Sequence, residues 1–365
     1  MASGDPLKAA ARSFAPDVVA WQKTRGRNHL PWQHTRDPYR VWLSEIMLQQ
    51  TQVTTVLDYY ARFLTRFPAV SDLAAAHSDE VLALWSGLGY YRRARNMHRC
   101  AQEIVLLHGG AFPATSALLQ TLPGIGPSTA AAIASFCFSE RVAILDGNVK
   151  RVLTRVLAFA GDLSQGVQER ELWRIAGQLL PEHDLSDNMP RYTQGLMDLG
   201  ATVCTLRKPQ CGVCPVNYLC LGFALGSPEK YPVKTRKLKR STQHLSLLWA
   251  KRPDGSVWLE RRPVAGIWGG LYCLPVFENE DALRSFLPEA LHSRMELLRP
   301  IKHVLTHKDL HLLPVIAGFP ATQEMPPAAL KALEPEAFGA WFRPADWPEL
   351  GLPAPIRKLL EQARA

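Results

Sequence analysis

Apolar residues recur at helical spacing through the first part of the chain, from Pro38 to about Cys220. This spacing places the apolar side chains of each stretch on one face of a helix, and Val41 to Phe67 forms the longest such stretch. Further helices are predicted at about 72–85, 91–108, 128–138, 147–160, 167–180 and 187–200. Medium-length helices joined by short connections rich in Gly and Pro predict an all-α domain.

The pattern changes after Cys220. Lys230 to Arg240 holds six basic residues and no acidic one, which predicts an exposed linker. Apolar and polar residues then alternate, and this predicts strands at 244–251, 257–262, 271–277 and 310–316, with helices at 279–288 and 355–364. The predicted organisation is a helical domain (1–222), a basic linker (223–240) and an α+β domain (241–365).

Composition narrows the class of protein. The chain of 365 residues is 47% hydrophobic, and it lacks both a signal sequence and an apolar run of the roughly 18 residues that a membrane span needs. We therefore expect a soluble, cytoplasmic protein. Lys and Arg total 42 against 33 Asp and Glu, a net charge of +9, which favours a polyanionic partner such as nucleic acid. An incidentally basic surface is the alternative.

Four of the seven cysteines lie in one short segment with the spacing C-x6-C-x2-C-x5-C: Cys204, Cys211, Cys214 and Cys220. Buried small residues and a four-thiolate zinc site are alternatives. Zinc sites usually pair two short C-x2–4-C turns, and only one gap here is that short. A compact set of four thiols suits a [4Fe–4S] cluster better, and Arg207 and Lys208 within the loop make it cationic.

A Gly-rich turn lies between two predicted helices at 122–130, with the sequence LPGIGPSTA. Gly124 and Gly126 allow a tight turn and a close approach of backbone N–H groups to an anion at the start of the following helix. This is typical of a helix–hairpin–helix element that grips a DNA backbone. Turns of this kind also join helices in other folds.

Two carboxylates are candidates for catalysis. Asp146 precedes a predicted helix, so it is expected to be an N-cap whose N–H donors keep it ionised at a low pKa. Glu45 is placed at the start of the long predicted helix among apolar neighbours, and partial burial would raise its pKa towards that of a general acid. Two carboxyl groups whose pKa values are shifted in opposite directions are typical of glycosidic-bond cleavage, where one acts as the general acid and the other stabilises the sugar cation. On position alone, an ordinary N-cap is the simpler interpretation of Asp146, and a first-turn residue that complements the helix dipole is the alternative for Glu45.

The order and spacing of these motifs resemble the endonuclease III superfamily and, within it, the MutY-type adenine DNA glycosylases. The resemblance extends over nearly the whole chain. The matching segments are Leu30–Trp32, Ser44–Gln52, Gly87–Arg92, Leu122–Ala130, Leu145–Arg151, Met197–Ala201, the four cysteines and Gly266–Leu274.

This resemblance implies an enzyme of base excision repair that flips out and hydrolyses adenine opposite 8-oxoguanine or guanine in double-stranded DNA. It implies that Glu45 protonates the adenine and that Asp146 stabilises or captures the oxocarbenium ion. It further implies one [4Fe–4S] cluster, and we expect the enzyme to be a monomer, associated with the nucleoid in a bacterium. The adenine pocket would be lined by Arg27, Trp32 and Gln194. The DNA contacts would come from Gln49, Gln50, Tyr90, Gly124, Gly126, Ser128, Thr306 and His307.

The second domain resembles the Nudix-like module that faces 8-oxoguanine in this family. The REx2EE glutamates of Nudix hydrolases are missing after Gly266, which disfavours a nucleotide pyrophosphatase and favours recognition. The family's Phe-Ser-His loop aligns with Leu305-Thr306-His307, so a hydroxyl is kept while an aromatic ring is lost.

Two further hypotheses remain. A bifunctional lyase of the same superfamily would carry a lysine at the position of Ser128, and a serine cannot form the required Schiff base. A monofunctional hydrolase is therefore predicted. Lys150 could trap an abasic aldehyde slowly, but a helix-surface or phosphate-contacting role is the simpler interpretation of this lysine. A non-catalytic DNA-binding or redox-sensing iron–sulfur protein is the alternative from another class.

Overall fold

The computed structural model describes residues 6–235, 239–326 and 339–362, with side chains from residue 13 onward. The chain divides into two compact units, each drawn from separate stretches of sequence. The first unit comprises residues 1–56, 67–71 and 99–237, and the second comprises residues 57–66, 72–98 and 238–365. Across the described ranges, no helix is long and apolar enough to cross a membrane.

Most of the described residues before 225 are helical. In chain order the helices are α1 (Pro6–Arg25), α2 (Pro38–Leu48), α3 (Val53–Arg66), α4 (Val70–Ala75), α5 (Ser78–Leu84), α6 (Arg92–His108), α7 (Ser116–Leu119), α8 (Pro127–Phe138), α9 (Gly147–Val156), α10 (Gly166–Gln178), α11 (Leu185–Thr202) and α12 (Leu221–Ala224). The predicted all-α domain is therefore present.

The core of the first unit forms where α1, α8, α9 and α11 pack together. Phe14 and Val18 of α1, Leu153 of α9 and Leu199 of α11 are all fully buried in one cluster. Gly200 allows α11 to pack closely against the start of α9, because a methyl group at this position would lie 2.6 Å from Asn148 Cβ. The packing of α11 thus fixes the N-terminus of α9, where Asp146 lies.

The single long helix predicted from Val41 to Phe67 is wrong. The chain forms α2 and α3 instead, separated by residues 49–52, and Gln50 in the gap adopts a left-handed φ of 58°. The four residues of the gap, QQTQ, are all polar. The apolar residues on either side have the spacing of one continuous helix, which is why the sequence pattern did not show the break. Glu45 consequently lies in the second half of α2 and not in a first turn.

Other boundaries also differ from the sequence predictions. The predicted helix at 72–85 is divided into α4 and α5, because His77 caps α5 by accepting a hydrogen bond from Asp79 N. Helix α1 was not predicted at all. The predicted strand at 271–277 is likewise divided, at Leu274 and Pro275, into two short strands.

The sheet of the second unit mixes parallel and antiparallel pairs. Its strands are β1 (Ser241–Lys251), β2 (Val257–Arg261), β3 (Tyr272–Cys273), β4 (Val276–Phe277), β5 (Met295–Leu297), β6 (Ile301–Val304), β7 (Lys308–Gly318) and β8 (Gly339–Phe342). β1 and β7 run parallel along their whole length, from Ser241 opposite Lys308 to Lys251 opposite Gly318. The other pairs are antiparallel.

Both faces of this sheet are covered. Leu247 and Leu312 point into one core, which also contains residues of α14 (Ala354–Gln362). Leu248, one position beyond Leu247, and Val315, three positions beyond Leu312, point into a second core with residues of α13 (Glu280–Phe286). Apolar residues of these strands therefore fill a core on each face of the sheet, and the predicted α+β domain is present.

Residues 78–98 join the second unit through polar contacts as well as packing. Ser86 Oγ and Tyr91 OH both donate to Leu352 O, each at 2.9 Å. Arg357 Nε in turn donates to Ser86 Oγ at 2.9 Å. These bonds explain why this helical stretch belongs to the same unit as the sheet.

The predicted linker is attached to the first unit as far as Thr235. Val233 O accepts a hydrogen bond from Leu163 N at 3.0 Å, and Tyr231 O accepts one from Arg155 Nε at 3.2 Å. Thr235 N donates to Asp162 Oδ1 at 3.3 Å. The rest of the predicted linker includes residues 236–238, which lie outside the described residues.

Candidate active site

A cleft of about 400 Å³ opens in the first unit beside α2 and α11. Trp32, Glu45 and Gln194 line it, so three of the residues predicted for catalysis and for the adenine pocket lie together. Trp32 and Gln194 are buried, and Glu45 is half-buried. The cleft thus offers an aromatic ring, an amide and a carboxyl group within one enclosed space.

The Glu45 carboxyl is a weak acid in this cleft. Desolvation by burial and, to a smaller extent, the negative charge of Asp146 together raise its pKa from 4.5 to about 8. A carboxyl group with this pKa is protonated at neutral pH and can donate its proton. The predicted upward shift is confirmed.

Asp146 is the N-cap of α9, as predicted. Its side chain accepts a hydrogen bond from Val149 N at 2.7 Å and another from Asn148 Nδ2 at 3.3 Å. The expectation of a net low pKa is wrong, because burial raises the Asp146 pKa more than the hydrogen bonds of Val149 and Asn148 lower it. The two carboxyl groups are electrostatically coupled, although they are far apart in sequence.

Arg27 is linked to the cleft through a residue that the sequence did not single out. Asp198, on α11 and fully buried, accepts hydrogen bonds from Arg27 Nε at 2.7 Å and from Arg27 N at 2.9 Å. The same carboxylate accepts a bond from Gln194 Nε2 at 2.8 Å. Asp198 therefore fixes two predicted pocket residues at once, while Arg27 itself is absent from the lining of the cleft.

Gln33 is a second cleft residue that sequence analysis missed. Both Nε2 and Oε1 of its amide are buried, and neither has a hydrogen-bond partner among the residues that the structure describes. An unsatisfied buried polar group costs about 1–3 kcal/mol. Only its position beside Trp32 in the sequence hinted at a role.

The predicted helix–hairpin–helix turn joins α7 and α8. Gly124 takes a left-handed φ of 79°, and Gly126 is the N-cap of α8. Both glycines are exposed, so their backbone is accessible to an anion. Gln49 Nε2 donates to Thr129 Oγ1 at 3.3 Å, which ties the end of α2 to this turn.

The residues that bear on lyase chemistry are both engaged within the protein. Ser128 Oγ accepts a hydrogen bond from Leu145 N at 3.2 Å, which fixes the segment immediately before Asp146. Lys150 Nζ lies 2.5 Å from Glu169 Oε1 in a partly buried ion pair. Lys150 is thus held by α10 rather than freely exposed.

In the second unit, two turns carry the residues predicted to face the opposite base. Tyr90 has a left-handed φ of 49° and is 45% exposed, and its hydroxyl lies 2.5 Å from Thr306 Oγ1. His307 is also exposed, next to Thr306 in the β6–β7 turn. Leu305, the predicted counterpart of the aromatic residue in the resembled family, packs against the core of the sheet.

An arginine side chain donates hydrogen bonds to backbone carbonyl oxygens of each turn. Arg93 Nη2 donates to Leu88 O at 3.3 Å and to Gly89 O at 3.2 Å. Arg240 Nη2 donates to Leu305 O at 3.0 Å and forms an ion pair with Asp309.

Gln50, which was predicted to contact DNA, lies in the first unit, in the exposed gap after α2.

The four clustered cysteines line one small cavity. Its wall is otherwise mainly apolar, and the buried Arg155 contributes to it. Arg155 Nη1 lies 3.4 Å from Cys204 Sγ, and its guanidinium also donates to Thr205 O at 2.6 Å and to Leu206 O at 3.0 Å. Four cysteines that line one cavity beside a buried cation fit a group that is bound by thiolates.

Comparison with known proteins identifies both halves of the chain. The family model described as HhH-GPD superfamily base excision DNA repair protein matches residues 43–178, and a NUDIX domain model matches residues 247–362. A solved structure of a thermostable thymine-DNA glycosylase matches 60% of this chain and 100% of its own, with a TM-score of 0.53 and 28% identity.

Two relatives span most of the chain. An adenine DNA glycosylase of Buchnera aphidicola subsp. Acyrthosiphon pisum is 36% identical over 350 residues, which cover 95% of this chain and 97% of the relative. An adenine DNA glycosylase of Rattus norvegicus is 43% identical over 346 residues, which cover 81% of this chain and 65% of the relative. The likeness therefore extends through both the helical and the NUDIX-matched regions.

Proposed function

We propose, from the premise that the chain belongs to the adenine DNA glycosylase family, that it hydrolyses the N-glycosidic bond of adenine opposite 8-oxoguanine or guanine in double-stranded DNA. Family membership makes it a DNA N-glycosylase of base excision repair. The observation that carries the finer proposal is the Glu45 carboxyl, whose pKa is raised to about 8 inside a cleft lined by Trp32 and Gln194.

In the proposed reaction the flipped adenine enters this cleft. Protonated Glu45 donates its proton to a ring nitrogen of the adenine, so the base becomes a better leaving group. The N-glycosidic bond then breaks, its electron pair leaves with the adenine, and the sugar becomes an oxocarbenium ion. Asp198 contributes by holding Arg27 and Gln194, and so acts as a positioning residue.

Asp146 is the proposed stabiliser of the sugar cation. Its negative charge contributes to the raised Glu45 pKa, which is consistent with Asp146 ionising first and with Glu45 keeping its proton. The hydrogen bonds from Val149 N and Asn148 Nδ2 fix the orientation of the carboxylate at the start of α9. Water then adds to C1′, or displaces Asp146 from C1′ if a covalent bond has formed there, and gives up a proton to the Glu45 carboxylate left by the first step.

The proposed reaction ends at hydrolysis. A β-elimination step needs an amine that forms a Schiff base with C1′. The residue at the superfamily's lysine position is Ser128, and it accepts a hydrogen bond from Leu145 N. The ion pair of Lys150 with Glu169 supports at most a slow side reaction through that lysine.

The DNA-binding part of the proposal rests on exposed turns. Gly124, Gly126 and Ser128 would contact the phosphate backbone at the helix–hairpin–helix element, with Gln49 and Gln50 entering from the end of α2. Tyr90, Thr306 and His307 would face the base opposite the adenine. The NUDIX-matched region would thus act in recognition of 8-oxoguanine and not in hydrolysis of a nucleotide.

Cys204, Cys211, Cys214 and Cys220 are proposed to hold one [4Fe–4S] cluster, because they line one cavity with Arg155. A bound cluster would cross-link the loop and so stiffen the segment that carries Arg207 and Lys208. The isolated protein should be yellow-brown with a broad visible absorption band. A colourless, active protein with stoichiometric zinc would contradict this proposal.

The central experiment measures base excision from duplexes with A opposite 8-oxoguanine, opposite G and opposite T, with and without alkali. We expect release opposite 8-oxoguanine and G, with strand breaks that require alkali. Failure to release adenine opposite 8-oxoguanine would refute the proposed activity. Strand breaks without alkali at the rate of adenine release would refute the monofunctional mechanism. The proposal also includes action as a cytoplasmic monomer, associated with the nucleoid in a bacterium, and size-exclusion chromatography tests the oligomeric state.

A further inference from the structure

Gln33 has unused hydrogen-bonding capacity in the cleft. It ends the 3₁₀ turn Pro31–Gln33, and both polar atoms of its amide are buried without a partner in the described part of the chain. Gln22 lines the same cleft, but its Nε2 donates to Asn28 Oδ1 at 2.6 Å and its Oε1 accepts from Arg191 Nη1 at 3.4 Å. Gln194 Nε2 is likewise engaged, by Asp198.

A primary amide offers one donor group and one acceptor side by side. Adenine presents the complementary arrangement, because its 6-amino group lies between two ring nitrogens that accept hydrogen bonds. A glutamine amide can therefore accept from the amino group and donate to one adjacent ring nitrogen at the same time. The other ring nitrogens stay available to a proton donor such as Glu45.

We propose that Gln33 is a specificity-determining residue that pairs with the 6-amino edge of the flipped adenine. This inference rests on the proposed function, since it requires adenine to occupy the cleft. It explains why a desolvated amide is kept beside Trp32 when neighbouring amides of the cleft are bonded within the protein. Gln33 contacts the base and contributes to substrate choice, while Glu45 remains the acid.

The test compares two bases opposite 8-oxoguanine in otherwise identical duplexes: adenine, and unsubstituted purine, which lacks only the 6-amino group. Gln33→Met keeps the length of the side chain and removes both hydrogen-bonding groups. Under single-turnover conditions, adenine release should slow by about fivefold or more relative to purine release, because purine keeps the ring-nitrogen contact and lacks only the amino group that the buried Gln33 oxygen would accept from. The adenine-to-purine rate ratio should therefore fall by the same factor.

Two variants complete the design. Gln22→Met is the matched control, because its amide is bonded within the protein, and it should change both rates by one common factor. Gln33→Glu keeps an acceptor for the amino group and should retain a higher adenine-to-purine ratio than Gln33→Met. Because each variant is read as a ratio of two substrates, a loss of folded enzyme cancels.

An unchanged adenine-to-purine ratio in Gln33→Met and Gln33→Glu would overturn the inference and leave the proposed function intact. A wild-type enzyme that releases no adenine opposite 8-oxoguanine would overturn both. A ratio that falls in Gln22→Met as much as in Gln33→Met would also overturn the inference, because the effect would then belong to the cleft as a whole.

Discussion

The cleft around Glu45 and the pair of turns at Tyr90 and Thr306 differ most in their access to water. At the cleft, the Gln33 amide is desolvated, and Asp198, which holds the cleft residue Gln194, is fully buried. In the turns, Tyr90 is 45% exposed and Thr306 is exposed. Removing a partner from a buried polar group leaves the full desolvation cost, whereas water replaces a lost partner at an exposed one.

The two regions also gain their rigidity differently. Side-chain hydrogen bonds from separate helices fix the cleft, as when Asp198 of α11 holds Arg27 after α1. The turns are fixed through their backbones, by the left-handed φ of Gly89 and Tyr90 and by the bonds from Arg93 to backbone oxygens. We therefore expect substitutions in the cleft to have large effects on chemistry, and substitutions in the turns to have small effects on selectivity.

The largest effect should come from Glu45→Gln. Removal of a positioned general acid typically lowers a rate by about 10²- to 10⁴-fold. Adenine release from A opposite 8-oxoguanine in single-turnover assays should fall by at least the lower of these factors, while binding to the same duplex is retained. Release at the wild-type rate would remove Glu45 from the mechanism and would favour a different acid.

Next in size is Asp198→Asn, which removes the charge that holds Arg27. Breaking a buried ion pair costs about 3–5 kcal/mol, and we expect the lower end of this range, because the Arg27 side chain is 26% exposed. Urea unfolding measures the change. Asp187→Asn is the matched control, since its partners Lys23 and Arg191 are exposed and the loss should stay below about 1 kcal/mol. Equal losses in the two variants would contradict the contrast between buried and exposed pairs.

How far the sequence predicted these features depends on the range of the interaction. The cap formed by Asp146 is local, because a carboxylate that precedes a helix bonds within three residues, and it was predicted correctly. The direction of its pKa shift was not predicted correctly, because burial of the carboxyl group depends on residues that are distant in sequence. The break between α2 and α3 was missed because the apolar frame continues across Gln50.

Contacts between distant residues were beyond the sequence pattern. Asp198 meets Arg27 across 171 positions, and only the packing of α11 against α1 brings them together. The parallel pairing of β1 with β7 is similar, and the short strands β5 and β6 beside it have too few residues for a visible alternation. The family resemblance supplied residue roles, such as those of Arg27 and Gln194, that no periodicity contained.

A smaller effect concerns pH. The Glu45 pKa is raised from 4.5 to about 8 in the folded protein, so the folded state binds the proton more tightly than the unfolded state does. This contribution to stability is fully present at low pH and is lost as pH rises through the window from 4.5 to about 8.

Wild-type protein should therefore lose stability relative to Glu45→Gln across that window, by more than about 1 kcal/mol. Adenine release should also slow above pH 8, where the acid is deprotonated. Denaturant unfolding of both proteins at pH 5 and pH 9 measures the first effect, and a pH–rate profile measures the second. A pH-independent difference in unfolding free energy would show that the Glu45 pKa is not raised.

The smallest effect should come from the turns. Tyr90→Phe and Thr306→Val each remove one hydroxyl of the pair at 2.5 Å, and a hydrogen bond of this kind contributes about 0.5–1.5 kcal/mol. Each variant should lower the preference for A opposite 8-oxoguanine over A opposite G by about tenfold at most, because water replaces the lost partner. Thr306→Ser keeps the hydroxyl and should keep the preference. Because the two hydroxyl groups are partners, the double variant should lose little more of this preference than either single variant does. A double-mutant cycle, in which the preference is measured for the wild type, both single variants and the double variant, tests this expectation. Strictly additive losses would mean that Tyr90 and Thr306 act on the DNA separately, and that their hydrogen bond does not set the geometry of the two turns.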